Sequence, residues 1–452
     1  MLFERIESKG LAHYSYLLGS GGRAVVIDPR RDCDIYCALA KEYGMRITHI
    51  LETHRNEDYV TGSLELAART GAEILHSKLD EFEYGYGSPV THGDRIETGG
   101  LLLEALHTPG HTIGHLSYVL HAPQGGPWMC FCGDVLFAGD VGRTDLYGKD
   151  RSGEMAELLH HSIFNRILPL GDEVLLFPAH GPGSVCGGDI ADREMTTIGL
   201  ERRLNPWLGH RTKESFVQDA AARDLPVPPY FKVMEELNRT GPPVTGRPPE
   251  PRPLNPEEFV DALSGRKVLD TRSEICFGTA HVPNSLSIWK DGLPAYAGWF
   301  LPYDHPLLLV SETDDVSEEV RLLYRMGFDR IDGFLAGGMH EWMVAGQPAH
   351  SIRTVTVQQL CSILDSEEKI NLLDVRSPQE AAEPRIPLAE NLPIMTLPDH
   401  LENFPRNRPA YIFCGSGHRS MIGASMLKQA RIDDVTVVLG GVKGWNSVSC
   451  PL

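Results

Sequence analysis

From residue 1 to about 205, short apolar runs recur between turn residues: HYSYLLG, RAVVIDP, ITHILE, LLLEALHT, LSYVLHA and EVLLFPAH. Each run is strand-sized and bounded by turn signals. The pattern predicts alternating strands and helices, a layered α/β arrangement. A polar stretch of helical character follows. From Pro226 to Pro256 the chain then carries ten prolines, including Pro228-Pro229, Pro242-Pro243 and Pro248-Pro249. Proline lacks the backbone N–H and clashes with the preceding turn, so this segment is expected to hold neither a helix nor a central strand and to act as a linker.

The remainder repeats itself. VLDTR at 268–272 matches LLDVR at 372–376, GGMHEW at 337–342 matches GGVKGW at 440–445, and PLLLVS at 306–311 matches PAYIFC at 409–414. The offset is 103 or 104 residues throughout, so one unit occurs twice. Each copy reads strand, helix, strand, helix, the pattern of a small doubly wound sheet. The expected domains are 1–225, a linker at 226–253, then 254–350 and 351–452.

Composition narrows the partners. The chain has 452 residues, enough for about three domains, with 42% apolar and 23% charged residues and a net charge of −19. An acidic surface repels phosphate backbones and anionic lipid, so neither nucleic acid nor a membrane is an expected partner. No apolar run approaches the ~18 residues of a membrane helix. The opening MLFERIESKGLAHY has no apolar centre and does not read as a secretory signal. Nine cysteines in so long a chain are no disulfide framework; reduced thiols in the cytoplasm are expected. A homo-oligomer is expected.

Four segments concentrate metal-ligating chemistry: Thr53-His54-Arg55-Asn56-Glu57-Asp58-Tyr59, Thr108-Pro109-Gly110-His111-Thr112-Ile113-Gly114-His115, Cys132-Gly133-Asp134 and Pro178-Ala179-His180-Gly181. In each, a His or Asp stands where an apolar run ends, and strand ends converge on one edge of a sheet. The ligand-type side chains there include His54, Asp58, His111, Asp134 and His180. His107 and His115 flank the motif and read as packing or supporting residues. Arg143 reads as an anchor for a substrate carboxylate or as the partner of Asp145. Cys186, in a glycine-rich loop six residues after His180, is a candidate sulfur relay or an inert thiol. Cys130 and Cys132 alternate with Phe131 as buried strand residues do.

The series resembles the metallo-β-lactamase superfamily over about the first 200 residues. The resemblance implies the αββα four-layer sandwich. That family's His-x-His-x-Asp-His motif holds two metals; here Asn56 replaces its second His and Tyr59 its last. An amide is a poor ligand and a phenol binds only when deprotonated, which weakens a two-zinc site. The survivors of that motif, His54, His111 and Asp134, are two imidazoles and one carboxylate, the facial triad of non-haem Fe(II), and with Gly139-Asp140-Val141-Gly142-Arg143-Thr144-Asp145 they are similar to the persulfide dioxygenase branch; Asp58, Asp134 and His180 are a rival set. That likeness implies one Fe(II) per chain on His54, His111 and Asp134, with zinc as the alternative.

In the last copy, Tyr411-Ile412-Phe413 runs into Cys414-Gly415-Ser416-Gly417-His418-Arg419-Ser420. Glycines let backbone N–H groups turn inward, and a Cys at such a mouth before a helix has a stabilised thiolate. The loop resembles that of rhodanese sulfurtransferases, which implies sulfur carriage on Cys414, help from Arg419, and substrate contacts from Gly415, Ser416, Gly417, His418 and Ser420. A phosphatase nest shares the same logic, but Asp374, Arg376, Gly440, Gly441 and Trp445 match rhodanese landmarks. The middle copy keeps Asp270, Arg272, His281 and Trp342 but has Ser311 in place of the cysteine, followed by Glu312, Asp314 and Asp315. It resembles an inactive rhodanese unit. Cys276 lies away from that loop.

Together the resemblances imply a persulfide dioxygenase–sulfurtransferase. A low-molecular-weight thiol persulfide, such as glutathione persulfide, would be oxidised by O₂ to sulfite, and sulfane sulfur would pass through Cys414 to form thiosulfate. The alternative is a zinc thioester hydrolase similar to hydroxyacylglutathione hydrolase with a rhodanese tail.

Overall fold

The computed structural model describes residues 1–193, 195–210, 212–366, 369–382 and 384–448. The chain divides into two compact units, Met1–Pro248 with Tyr324–Gly327, and Pro249–Leu323 with Phe328–Leu452.

The first unit holds two six-stranded sheets. One runs in sequence order through Leu2–Ser8, His13–Ser20, Arg23–Ile27, Arg46–Leu51, Glu73–Ser77 and Ser88–Val90. The other contains Arg95–Thr98, Leu101–His107, Leu116–His121, Pro127–Gly133, Leu175–Pro178 and Thr196–Thr197. Successive side chains of a strand point to opposite faces, which sorts each run between two cores. Tyr16, Leu18, Val25 and Ile27 meet Leu103, Tyr118, Phe131 and Phe177 between the sheets. Their neighbours Leu17, Ala24 and Val26 point outward and take Tyr36 and Ala40 of the helix Asp34–Glu42 and Leu66 of Ser63–Thr70. On the other side Cys130 and Cys132 pack with Ala156 and Leu159 of Ser152–Ser162 and Phe216 of Lys213–Ala221. This is the expected four-layer sandwich.

The proline-rich segment departs from expectation. It contains the helix Phe231–Thr240; the strand Arg252–Leu254 is no departure, since it lies at the edge of its sheet, where proline is tolerated. The prolines stand in pairs on either side of the helix, leaving 230–241 proline-free, so the i→i−4 ladder forms there. The helix belongs to the first unit, and its Asn238 is buried.

In the second unit the two repeats form two five-stranded sheets, parallel throughout. Strand order is the same in both, with the first strand beside the last. Asp270 and Asp374 end equivalent strands, and each is held by the Arg two residues on, at 2.7 and 2.6 Å. Trp342 is fully buried and Trp445 partly so, as core anchors. Seven cysteines are free, as expected, but Cys361 is disulfide-bonded. No helix among the described residues is long and apolar enough to cross a membrane.

Candidate metal centre and sulfur-carrying loop

The strand Arg46–Leu51 delivers the His54 loop to one edge of the first unit's sheets. Asp28 accepts from the Thr53 amide (2.8 Å) and the Thr53 hydroxyl (2.7 Å). The Thr53 hydrogen is thereby used, so its oxygen accepts from His54 Nδ1 at 2.8 Å. Nε2 of His54 is left as a lone pair. The same device acts on His111, whose Nδ1 donates to the Arg143 carbonyl (3.1 Å). Both Nε2 atoms face Asp134 Oδ2, at 3.8 Å from His54 and 3.4 Å from His111. Asp134 is oriented from behind: its amide donates to His115 Nε2 (3.0 Å), and His180 Nδ1 donates to its carboxylate (2.8 Å). His107 is tied to the Ile113 carbonyl (2.8 Å) and, like His115, serves as a support.

Electrostatics agree with these roles. Burial would raise Asp134, but His180, His111 and His54 overturn that and lower it strongly. Burial, with a smaller push from His111, holds His115 down at about 3, so it stays a neutral acceptor. Burial would lower His180 too, yet Asp134 and Asp58 raise it well above its ordinary value.

The fit to a cation rests on orphaned atoms. His54 Nε2, His111 Nε2 and both carboxylate oxygens of Glu57 are buried without a hydrogen-bond partner, while His180 Nε2 stands 3.0 Å from Asp58 Oδ2. Such groups cost about 1–3 kcal/mol each when unsatisfied, so their clustering fits a site for a cation. Their ligand atoms form two groups, His54–His111–Asp134 and Asp58–His180–Cys186, each within 4.8 Å. The first is the expected set. The second differs from the rival set: Asp134 already takes His180 Nδ1–H, and Cys186 stands in its place. Glu57, 3.7 Å from His111 Nε2, was not singled out by the sequence. Its only signal is its place between two ligand-type residues.

Three further expectations meet the structure here. Tyr59 is fully buried against His13, with ring centroids 3.9 Å apart, and burial, Asp28 and Asp58 push its phenol up, away from the phenolate a metal would need. Cys186 does reach the site, but burial followed by Asp58 and Asp134 pushes its thiol well up, which keeps it protonated. Arg143 is not free to anchor a substrate. It is fully buried, pairs bidentately with Asp145 (2.6 and 2.8 Å) and donates to the carbonyls of Val185, Pro226 and Leu225. With all its N–H groups engaged it is a clamp between segments, which corrects the reading of it as a substrate anchor.

In the second unit, the strand Ala410–Phe413 leads through the Cys414 loop into the helix His418–Gln429. The Gly417 amide donates to Cys414 Sγ at 3.2 Å, and Ser420 Oγ lies 3.7 Å from it. The loop is braced by the GGVKGW turn: the carbonyls of Cys414, Gly415 and Ser416 accept from Val442, Lys443 and Gly440. A Cβ on Gly441 would lie 2.1 Å from the Cys414 carbonyl oxygen, so only glycine fits. Arg419 forms a two-pronged pair with Glu380 (2.6 and 2.7 Å), and His418 lies between Ser416 Oγ (3.0 Å) and Glu274 (3.3 Å). In the middle copy, Ser311 donates to Glu319 (2.7 Å), and Glu312, Asp314 and Asp315 accept from the amides of Ser273, Gly337 and Ser317. That loop's acids are spent on its own backbone surroundings.

Comparison with known proteins agrees with this layout. Residues 9–180 match the metallo-beta-lactamase superfamily and residues 356–448 the rhodanese-like domain. The bovine mitochondrial persulfide dioxygenase ETHE1 is 34% identical over 50% of this chain and 77% of its own. The hydroxyacylglutathione hydrolase GloC of Haemophilus influenzae is 30% identical over 42% of this chain and 89% of its own. The crystal structure of a metallo-beta-lactamase from Staphylococcus aureus superposes with a TM-score of 0.67 at 29% identity, covering 74% of this chain and 98% of that one. The chain thus belongs to the metallo-β-lactamase superfamily and carries a rhodanese-like domain later in its sequence.

Proposed function

We propose that this chain is a persulfide dioxygenase–sulfurtransferase. The carrying observation is the convergence of His54 Nε2, His111 Nε2 and Asp134 as one buried ligand set, beside Asn56 and Tyr59 where a second metal would need ligands. His54, His111 and Asp134 would hold ferrous iron, which would supply the activation of dioxygen. The residues around it do the holding: Thr53 and the Arg143 carbonyl fix the two imidazoles, His115 and His180 fix Asp134, and His180 keeps a proton between two carboxylates. Burial of the whole group excludes bulk water. The net reaction is RSSH + O₂ + H₂O → RSH + SO₃²⁻ + 2H⁺. In the second unit the Cys414 thiolate attacks the terminal sulfur of RSSH, the S–S bond breaks, and RS⁻ leaves. Sulfite then takes the sulfur from Cys414, giving thiosulfate and a proton and restoring the thiolate. Similarity to the bovine persulfide dioxygenase supports this reading.

A second reading has its own observation. Asp58, His180 and Cys186 form a second ligand-rich group, and hydroxyacylglutathione hydrolases are comparably similar relatives. Two zincs and thioester hydrolysis would follow from it. Metal analysis of anaerobically purified protein, with an oxygen electrode, separates the two. One iron per chain and persulfide-dependent O₂ uptake is expected; two zincs with thioester hydrolysis and no O₂ uptake would replace the proposal.

A further inference from the structure

Four residues of the first unit come from far along the chain. Tyr324–Gly327 lie in the sequence of the middle copy, where the helix Ser317–Arg325 ends, yet by their contacts they belong with Met1–Pro248. There the Arg325 guanidinium pairs bidentately with Asp32, Nε to Oδ1 at 2.8 Å and Nη2 to Oδ2 at 2.7 Å, and both side chains are buried. The Arg325 carbonyl accepts from the Val60 amide at 2.9 Å. Tyr324 is fully buried with the Arg31 guanidinium over its ring at 4.1 Å, and its carbonyl accepts from Arg31 Nη1 at 3.3 Å. The hydroxyls of Tyr324 and Thr245 are bonded at 2.6 Å. A Cβ on Gly327 would stand 3.1 Å from Val60 Cγ2 and 3.3 Å from Leu237 Cδ1, so the segment also fills the space between the His54 loop and the helix Phe231–Thr240.

Arg325 thereby grips the metal loop from both ends. Its carbonyl holds the residue directly after Tyr59. Its guanidinium holds Asp32, in the segment 28–32 that carries further supports of the same loop. Asp28 accepts from the amide and the hydroxyl of Thr53, which in turn fixes the His54 imidazole. Pro29 accepts from the Gly62 amide at 2.7 Å, and Arg30 and Thr61 form an antiparallel bridge. A two-pronged guanidinium–carboxylate pair fixes orientation as well as distance. Out of water, neither partner is replaced by solvent once the other is removed. Loss of either one frees the segment 28–32 and, through Asp28 and Thr53, the His54 ring. An imidazole whose orientation is not held is a weaker ligand. We infer that Arg325 is a positioning residue of the metal centre: a side chain from the sequence of the cysteine-less copy that holds the His54 loop in ligating geometry through Asp32 and Val60. The inference rests on His54, His111 and Asp134 as the metal site and does not depend on which metal they hold. The copy that lost its cysteine thus still supplies, in its sequence, part of the metal centre's support.

The test uses the full chain with cobalt(II) as the probe. It reads affinity by competition with a chelator, the ligand geometry by the visible absorption of the bound cobalt, and the fold by circular dichroism. Arg325→Met and Asp32→Asn should each weaken cobalt binding about tenfold and alter its spectrum. The double variant should be no weaker than either single one, because both remove the same pair. Arg325→Lys keeps the charge but not the fork, so it should recover only part of the affinity. Asp32→Asn leaves the sequence of the middle copy untouched, so it decides the matter even if Arg325→Met does not fold. Folded Asp32→Asn protein with wild-type affinity and spectrum would overturn the inference, and so would losses that add in the double variant. If the wild type binds no cobalt, or His54→Ala binds it as tightly as the wild type, the metal site itself is misassigned and the inference falls with it.

Discussion

The side-chain amide of Asn238 donates to the backbone carbonyl of Asn56 at 2.7 Å, across 182 residues of sequence. It also donates to the Tyr59 carbonyl (2.8 Å), and its Oδ1 accepts from the Thr61 amide (2.9 Å). One buried side chain on the helix Phe231–Thr240 therefore closes the loop that presents His54, Glu57 and Asp58. Asn238→Ala strands two carbonyls and an N–H out of water, so it should cost about 3 kcal/mol and lower metal content. Urea unfolding with metal analysis checks this; a variant with unchanged stability and full metal would show that the helix merely covers the loop.

His54→Ala and Asp134→Ala should strip iron and abolish persulfide-dependent O₂ uptake, because each removes one of three ligands. His180→Ala should leave iron bound and slow uptake about tenfold, since it removes a hydrogen bond to Asp134 and not a ligand atom of the first group. If His180→Ala alone empties the site, the metal sits on the Asp58–His180–Cys186 group instead.

Cys414→Ser should abolish sulfurtransfer, yet O₂ uptake should continue and its product shift from thiosulfate to sulfite. Ser311→Ala should leave sulfurtransfer as it is, since Ser311 is bound to Glu319 in a loop with no thiol. Quantifying sulfite and thiosulfate in the same reaction separates the two. Loss of oxygenase activity in folded Cys414→Ser protein would contradict the division of labour.

Gly441→Ala places a methyl group 2.1 Å from the Cys414 carbonyl at a φ of +46°. The brace must move, so the last copy should lose about 2 kcal/mol or more and sulfurtransfer should fall sharply. Oxygen uptake by the same protein is the internal control, and an unimpaired transferase would show that the turn tolerates displacement.

His281 of the middle copy is stacked on Phe277 at 4.0 Å and held down to about 4, first by burial. Between pH 6.5 and 4 the unfolded chain binds a proton that the folded one does not, so stability falls as the pH falls through that window. Above about 6.5 the effect is absent; below about 4 it is complete, at ~3 kcal/mol. Denaturation of wild type and His281→Gln at pH 7.5 and 5 should show the wild type losing more. Equal losses would mean that the imidazole is protonated in the fold at no cost.

Much of this was legible in the chain itself. The alternation in HYSYLLG and RAVVIDP is local, since a strand turns successive side chains to opposite faces whatever surrounds it, and both layers of the sandwich follow from it. The repeat offset and the Cys414 loop are likewise written in neighbouring residues, as are His54, His111 and Asp134 at the ends of their strands. Tertiary structure alone decided which distant groups meet. It built a helix between proline pairs and sent Asn238 to the His54 loop, spent every N–H of Arg143 on segments far along the chain, brought Cys186 beside Asp58 and His180, and set Glu274 and Trp289 of an inactive copy against His418. Local periodicity carries no record of these pairings, because they arise only where packed sheets bring the ends of separate loops to the same edge.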